Sequence, residues 1–172
     1  MPDLHDVHDV LAQQHLAFVG VSTDTKAFAS TVYRAMRDHG RTMYPVNRHA
    51  GATLEGDPAY ARLADVPDPV DAVVVMVPAD QVADVVRDAL ARGIPRVWLH
   101  RGAGQGPPAP EAVAACREAG VVVVDGACPL MFDGHVRGVH RWHRWMTAGG
   151  SPQPDAAAPT RHERQEDGRM SR

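Results

Sequence analysis

The feature that most constrains this chain is an alternation. Five short apolar runs recur along it: LAFVGV (16–21), TMYPVN (42–47), DAVVVMVP (71–78), PRVWLH (95–100) and VVVVDG (121–126). Each is too short for a buried helix and of the right length for a strand. Between them the apolar residues fall at helical spacing. Val32, Ala35, Met36 and His39 share one face ahead of Gly40, and Val82, Val85, Val86 and Leu90 share another ahead of Gly93. A further helix is predicted over 109–120. A run that is apolar at every position, as in DAVVVMVP, suits a strand covered on both faces, the normal condition of a parallel sheet flanked by helices. The order β-α-β-(α)-β-α-β-α-β therefore predicts an α/β fold, a mainly parallel sheet with helices on both faces. Aromatic residues make up only 5% of the chain, so Val and Ala carry the expected core.

Asp3, followed by Leu4, Val7, Val10 and Leu11, predicts a short amphipathic N-terminal helix with an aspartate cap. Ser30 is the best N-cap for the helix after the first strand, which leaves 22–29 as an extended loop. Pro45 points to an edge position for the second strand. Residues 48–69 carry turn signals and a short helical piece at AYARLADV. HVRGVHRWHRWMTAGG (135–150) is consistent with a final helix, and the Pro-, Ala- and charge-rich tail beyond it has no periodic apolar face. The expected organisation is one domain over 1–147 and a disordered tail over 148–172.

At 172 residues the chain is long enough to bury a real core, and its formal charge of -3 gives no general attraction to nucleic acid or anionic membrane. No apolar run reaches the length of a membrane span, and MPDLHDVHDV lacks the form of a signal peptide. Cys116 and Cys128 make no disulfide framework, so a cytoplasmic setting is expected. There is no G-x-S-x-G elbow, no G-x-x-x-x-G-K-[ST] loop and no carboxylate spacing that marks an acid/base pair. The reading favours a binder and leaves an enzyme open.

In an open parallel sheet, ligands sit beyond the carboxyl ends of the strands, where the strand order reverses. The segments GVSTDTK, VNRHAG, VPAD and HRGAG all lie at such ends. The first offers backbone N–H groups of Gly20 and Val21, the hydroxyls of Ser22, Thr23 and Thr25, and the ammonium of Lys26, all suited to phosphate oxygens. One glycine and a long loop do not suit the G-x-G-x-x-G geometry of dinucleotide sites. Asn47, Arg48 and His49 stand where an NAD-binding chain usually has an acid for the ribose hydroxyls, a substitution that favours a phosphorylated ribose. Singly, each of these residues is explained by turn chemistry or solvation. Together at one sheet edge they point to an anion site.

FVGVSTDTKAFASTVYRAMRDHG, YPVN, LEGDPAYARLADVPDPVDAVVV, VPAD, ARGIPRVWLHRGAG and EAGVVVVDGACPLMF together resemble the small stand-alone CoA-binding domain proteins, related to the CoA-binding domain of the succinyl-CoA synthetase alpha subunit. The resemblance implies a Rossmann-like three-layer αβα sandwich with a mainly parallel sheet, and coenzyme A or an acyl-CoA as ligand. It implies that Gly20, Ser22, Thr23 and Lys26 line the diphosphate, that Asn47 lies beside the nucleotide, and that Val77 and Pro78 lie under the adenine or ribose edge. Val21, Arg48 and His100 complete the expected binding set. The chain departs from the Arg-Pro-Ser that many members carry before the first helix; it reads AFAS. Coenzyme A, with a pyrophosphate and a 3′-phosphate, calls for more cationic and hydroxyl donors than NAD and less glycine.

Cys128, in DGACPLMF, reads as a small residue packing a turn rather than as a thiol that joins CoA in a mixed disulfide, and Cys116 reads as core. His140 and His143 lie one turn apart without the third ligand a metal needs, so packing explains HVRGVHRWHRW better than zinc. The expected function is non-catalytic CoA binding as sensor, carrier or regulatory subunit, with a small-molecule partner, no nucleic acid and no membrane. A homo-oligomer or a protein partner is left open. The alternatives are an NAD(P)-binding oxidoreductase-like protein and an interaction module whose nucleotide site has decayed.

Overall fold

The computed structural model describes residues 2–100 and 110–132. Its elements run α1 (Leu4–Leu11), β1 (His15–Val19), α2 (Phe28–Arg37), β2 (Thr42–Val46), β3 (Thr53–Leu54), β4 (Asp57–Pro58), β5 (Ala72–Val75), α3 (Ala79–Ala91), β6 (Arg96–Leu99), α4 (Pro110–Glu118) and β7 (Val122–Asp125), with single 3-10 turns at Leu63–Asp65 and Pro129–Met131. Five strands form one sheet in the order β2-β1-β5-β6-β7, every pair parallel. The chain starts near the middle, moves to one edge, then returns past β1 and continues to the other edge. That reversal is the doubly wound pattern, and its switch point lies between β1 and β5.

The pleat divides the core into two sets. Leu16, Phe18, Ala72, Val74, Trp98 and Val124 face α1 and α2, while Ala17, Val19, Val73, Val75, Val97 and Leu99 face α3 and α4. Consecutive residues of β1 and β5 thus serve opposite layers, which is why both strands had to be apolar throughout. Each such Val, Leu or Phe side chain, withdrawn from water, contributes about 1.5–3 kcal/mol. This is the expected three-layer αβα sandwich with a parallel sheet.

Local chemistry agrees with the sequence at several ends. Asp3 caps α1 by accepting from the His5 N–H at 2.8 Å. Gly93 ends α3 with φ +66°, its N–H on the Leu90 carbonyl and that of Ile94 on the Ala89 carbonyl, the paired bonds of a Schellman turn that lead straight into β6. β2 is an edge strand of the main sheet, as Pro45 suggested. The Pro45 carbonyl faces away from β1 and accepts from the Tyr60 N–H, so the missing proline donor breaks no ladder bond.

Other details differ. α2 begins at Phe28 with Ala27 at the cap position, so Ser30 is not the N-cap. Ser30 is fully buried within the first turn and acts as a donor, its Oγ reaching the carbonyls of Ser22 at 3.3 Å and Asp24 at 3.1 Å. On the same helix Tyr33 takes a core position, its hydroxyl finding a partner in Asp57 at 2.7 Å, while His39 lies just beyond the helix end and is exposed. Within 48–69 the chain forms a small antiparallel hairpin, β3–β4, before the 3-10 turn. The final helix read at 135–150, the loop at 102–108 and the tail at 148–172 lie outside the described residues. Among the described residues no helix is long and apolar enough to cross a membrane.

Candidate functional site

A cavity of about 330 Å³ opens at the switch point, between the ends of β1, β2 and β5 and the first turns of α3. Six residues from three loops meet in its wall: Gly20, Ser22, Asn47, Arg48, Val77 and Pro78. All six belong to the expected binding set. Val21, Thr23, Lys26 and His100 are not among the residues lining this cavity.

Gly20 makes the crevice narrow at its root. Its φ is +104°, and a Cβ there would collide with the Met76 carbonyl oxygen, lying 2.7 Å from the carbonyl carbon and 3.1 Å from Val77 Cγ1. The β1 loop can therefore pass directly over the end of β5 only because this residue has no side chain. Its N–H is held by the Val46 carbonyl at 2.9 Å, which ties the same loop to β2.

Asn47 stitches the two neighbouring loops together. Its Nδ2 donates to the Val21 carbonyl at 2.7 Å and its Oδ1 accepts from the His49 N–H at 2.8 Å. Its primary work is thus to set loop geometry, and one amide hydrogen is left for a ligand. Val21 itself points its side chain into the core beneath α1 and α2 and offers the site its backbone.

The loop after β1 is a chain of small turns. Ser22 Oγ accepts from the Asp24 N–H at 3.0 Å, and Asp24 Oδ1 accepts from the Lys26 N–H at 2.9 Å. The Ser22 hydroxyl hydrogen is not used in that bond and remains able to donate into the cavity. Beneath the loop, Ser30 holds two of its carbonyls and Arg34 holds a third, Nη1 to Thr25 O at 3.0 Å. Removing the buried hydroxyl in Ser30→Ala is expected to lower stability by about 1 kcal/mol and to raise amide exchange in residues 22–26 selectively, as read by hydrogen exchange. Uniform exchange across the domain would contradict that role.

The positive charge of the cavity wall sits on guanidinium groups, those of Arg48 and Arg62. Arg48, whose Nε contacts His49 Nε2 at 3.1 Å, has no carboxylate partner among the described residues, and neither has Lys26. Arg62, also in the wall, has only Asp65 at 3.9 Å as an ion-pair partner among the described residues. Lys26 stands exposed on the loop after β1, outside the cavity lining.

His100 has a different character. Its ring lies 5.8 Å from that of Phe28, and burial lowers its pKa to about 4, so near neutral pH it carries no charge to offer a phosphate. Cys128 is half-buried at the cap of the second 3-10 turn. Burial pushes its thiol pKa up, with the Leu130 and Met131 N–H groups opposing in part. That environment keeps it protonated, as a packing residue would be. Cys116 is fully buried in α4.

The sequence reading missed Arg62, Gln81 and Asp88 in the cavity wall. Arg62 arrives through the β3–β4 hairpin, which was not foreseen, and stands at the start of the 3-10 turn that falls within the expected helical piece AYARLADV. Gln81 and Asp88 were legible in principle, since with Val85 they fall at i, i+4 and i+7 of a foreseen helix.

A doubly wound parallel sheet with a guanidinium-rimmed, hydroxyl-bearing crevice at its switch point defines a Rossmann-like protein with a ligand site in the usual place for that fold. The family model described as CoA binding domain matches residues 14–133, and the chain belongs to that family. Among solved structures it is similar to the Thermus thermophilus protein called cell-free ID.343, at 33% identity and a TM-score of 0.64 over 77% of this chain and 96% of that one. A hypothetical protein from Pyrococcus horikoshii OT3 matches at 25% identity and a TM-score of 0.68, over 78% of this chain and 92% of that one. The dinucleotide forming acetyl-coenzyme A synthetase 1 of Ca. Korarchaeum cryptofilum, in complex with phosphate and ADP, matches at 27% identity and a TM-score of 0.61, over 73% of this chain but 28% of the synthetase.

Proposed function

We propose that this chain binds coenzyme A or an acyl-CoA at the switch-point cavity and acts without catalysis of its own, as a sensor, carrier or regulatory subunit. The observation that carries the reading is the lining of the crevice. Arg48 and Arg62 stand on its walls, Ser22 and the Gly20 backbone at its root, and no acid follows β2. The nucleotide half of CoA fits that set: an apolar slot for the base between Val77, Pro78, Leu63 and Val85, with donors for phosphate at both ends. Gly20, Val21, Ser22, Thr23 and Lys26 are proposed to hold the diphosphate, and Asn47 and Arg48 the phosphorylated ribose. His100, neutral and apart from the cavity wall, is proposed to border the site next to Phe28 rather than to bind an anion. The unpaired thiols of Cys116 and Cys128 suit a cytoplasmic setting.

Thioester synthesis is not part of the proposal. The sequence contains no catalytic set, and the match to the Korarchaeum synthetase spans little more than a quarter of that enzyme.

Arg48 beside the ribose position also suits NADP, which gives the second reading. Thermal unfolding with CoA, acetyl-CoA, NAD and NADP separates the two. A ligand present at 100 times its dissociation constant adds about 2.7 kcal/mol of stability, so the cognate ligand is expected to shift the midpoint by several degrees. In calorimetry Lys26→Ala is expected to weaken CoA binding about ten-fold or more, the loss of one charge-assisted hydrogen bond. A shift with NADP and none with CoA sinks the proposal, and unchanged affinity in the variant removes Lys26 from the site.

A further inference from the structure

The two edges of the main sheet are finished differently. On the β2 edge Pro45 has no N–H to leave bare, its carbonyl is taken by the Tyr60 N–H, and the Tyr60 carbonyl takes the Asn47 N–H. The β7 edge has no proline, lysine or bulge, the devices that keep an edge strand from pairing. There the chain reads Val121, Val122, Val123, Val124, Asp125, and the first three valines are only half-buried. Even-numbered residues bond to β6: the Val122 N–H reaches the Pro95 carbonyl at 3.0 Å and the Gly126 N–H the Leu99 carbonyl at 3.1 Å. The residues between them turn their backbone groups outward. Among the described residues the N–H and C=O of Val123, the N–H of Asp125 and the C=O of Val121 have no hydrogen-bond partner, whereas the Val121 N–H is taken by the Cys116 carbonyl at 2.9 Å.

We propose that a second copy of this chain pairs on the β7 edge, antiparallel, about a two-fold axis through Val123, joining the two five-stranded sheets into one. In that register the free groups match themselves. The two Val123 residues exchange N–H and C=O, and each Asp125 N–H meets the Val121 carbonyl of the other copy. The occupied Val121 N–H is not needed. Side chains agree, since Val123 faces Val123 and Val122 faces Val124, β-branched pairs that stabilise antiparallel strands. Charge sets the register. Each Asp125 carboxylate has Arg117 Nη2 of its own α4 at 3.6 Å, so the edge presents no lone charge. With the axis at Val123 the two Asp125 residues stand about 14 Å apart along the strands; with the axis at Val124 they would stand about 7 Å apart, inside the screening length of physiological salt. α4 covers β7 on one face and α1 on the other, and an axis normal to the sheet sets each helix beside its own copy, extending both layers across the join. The cavity opens between β1, β2 and β5, so this proposal is independent of what the cavity binds.

The test is sedimentation velocity of the full chain over a range of concentrations, with backbone amide exchange followed in the same samples. A dimer that dissociates on dilution is expected. Exchange at Val123 and Asp125 is expected to slow about ten-fold or more as dimer replaces monomer, while the Tyr60 amide, on the other edge, keeps its rate. In Val123→Pro the lost N–H faces away from β6, so thermal unfolding of the dilute variant is expected to match that of the wild type. Its dimer dissociation constant is expected to rise about ten-fold or more, because the central bond is lost in both directions. Four outcomes overturn the proposal: a chain monomeric throughout, a dimer in which both amides exchange freely, protection of both amides in the monomer, or a folded variant that dimerises like the wild type. If the variant folds poorly, exchange in the wild type decides alone.

Discussion

Gly20→Ala is expected to lower the stability of the domain by about 3 kcal/mol or more and to abolish ligand binding with it. Two costs add. The backbone at φ +104° strains any residue with a Cβ, and the Cβ itself would press into the Met76 carbonyl, whose carbon it would approach to 2.7 Å. Met76 is not free to retreat, because its own N–H is bonded to the Val19 carbonyl at 2.8 Å. Relief must come by parting β1 from β5, the pair that forms the switch point. Urea denaturation measures the effect as a fall in the midpoint at an unchanged slope. A variant with the wild-type midpoint would mean that the crevice is not closed at its root in this way.

The second large effect is expected at Trp98. Its indole is fully buried in β6, lies 6.0 Å from the Phe132 ring, and donates Nε1–H to the Ala127 carbonyl at 2.8 Å. Trp98→Ala removes a large buried volume and is expected to cost about 3–5 kcal/mol. Trp98→Phe keeps much of that volume but leaves the Ala127 carbonyl without its donor, for a smaller loss of about 1–3 kcal/mol. The pair separates packing from hydrogen bonding when both are measured by denaturant unfolding. Equal losses in the two variants would assign nearly all of the effect to the indole N–H. The carbonyl it holds belongs to the segment that carries Cys128, so greater reactivity of that thiol toward an alkylating probe is expected in Trp98→Phe.

Much of the architecture was written in hydrophobic period. Among the described residues, the five main strands, the four helices and the parallel pairing follow from runs such as DAVVVMVP and from the spacing of Val82, Val86 and Leu90, because burial on both faces leaves few other sequences possible. The β3–β4 hairpin was hidden for the opposite reason. Two-residue strands carry no period, and the turn between them places Glu55 at φ +52°, where a glycine or asparagine would have announced it. What holds Glu55 there is tertiary: its carboxylate, 8% exposed, takes Arg34 Nη1 on both oxygens at 2.9 Å. Ser30 misled for a related reason. A serine near a helix start has the chemistry of a cap, and only the folded loop shows its hydroxyl turned under Ser22 and Asp24 as a donor. At the cavity, the position beyond strand ends picked out Gly20, Ser22, Asn47, Arg48, Val77 and Pro78, while Val21, Thr23, Lys26 and His100 fall outside its lining. The division of labour among the lining residues was not legible, since it depends on which atoms of Asn47 and Ser22 the protein itself occupies.

Arg34 has a wider consequence. A single guanidinium joins the Thr25 carbonyl, in the loop after β1, to the Glu55 carboxylate at the tip of the hairpin. The loop is thus held in one shape by the folded protein, so a ligand binding there would have little chain entropy to quench. The Lys26 segment and the tip of β3–β4 are therefore yoked by one planar cation, so a displacement of either is felt directly by the other.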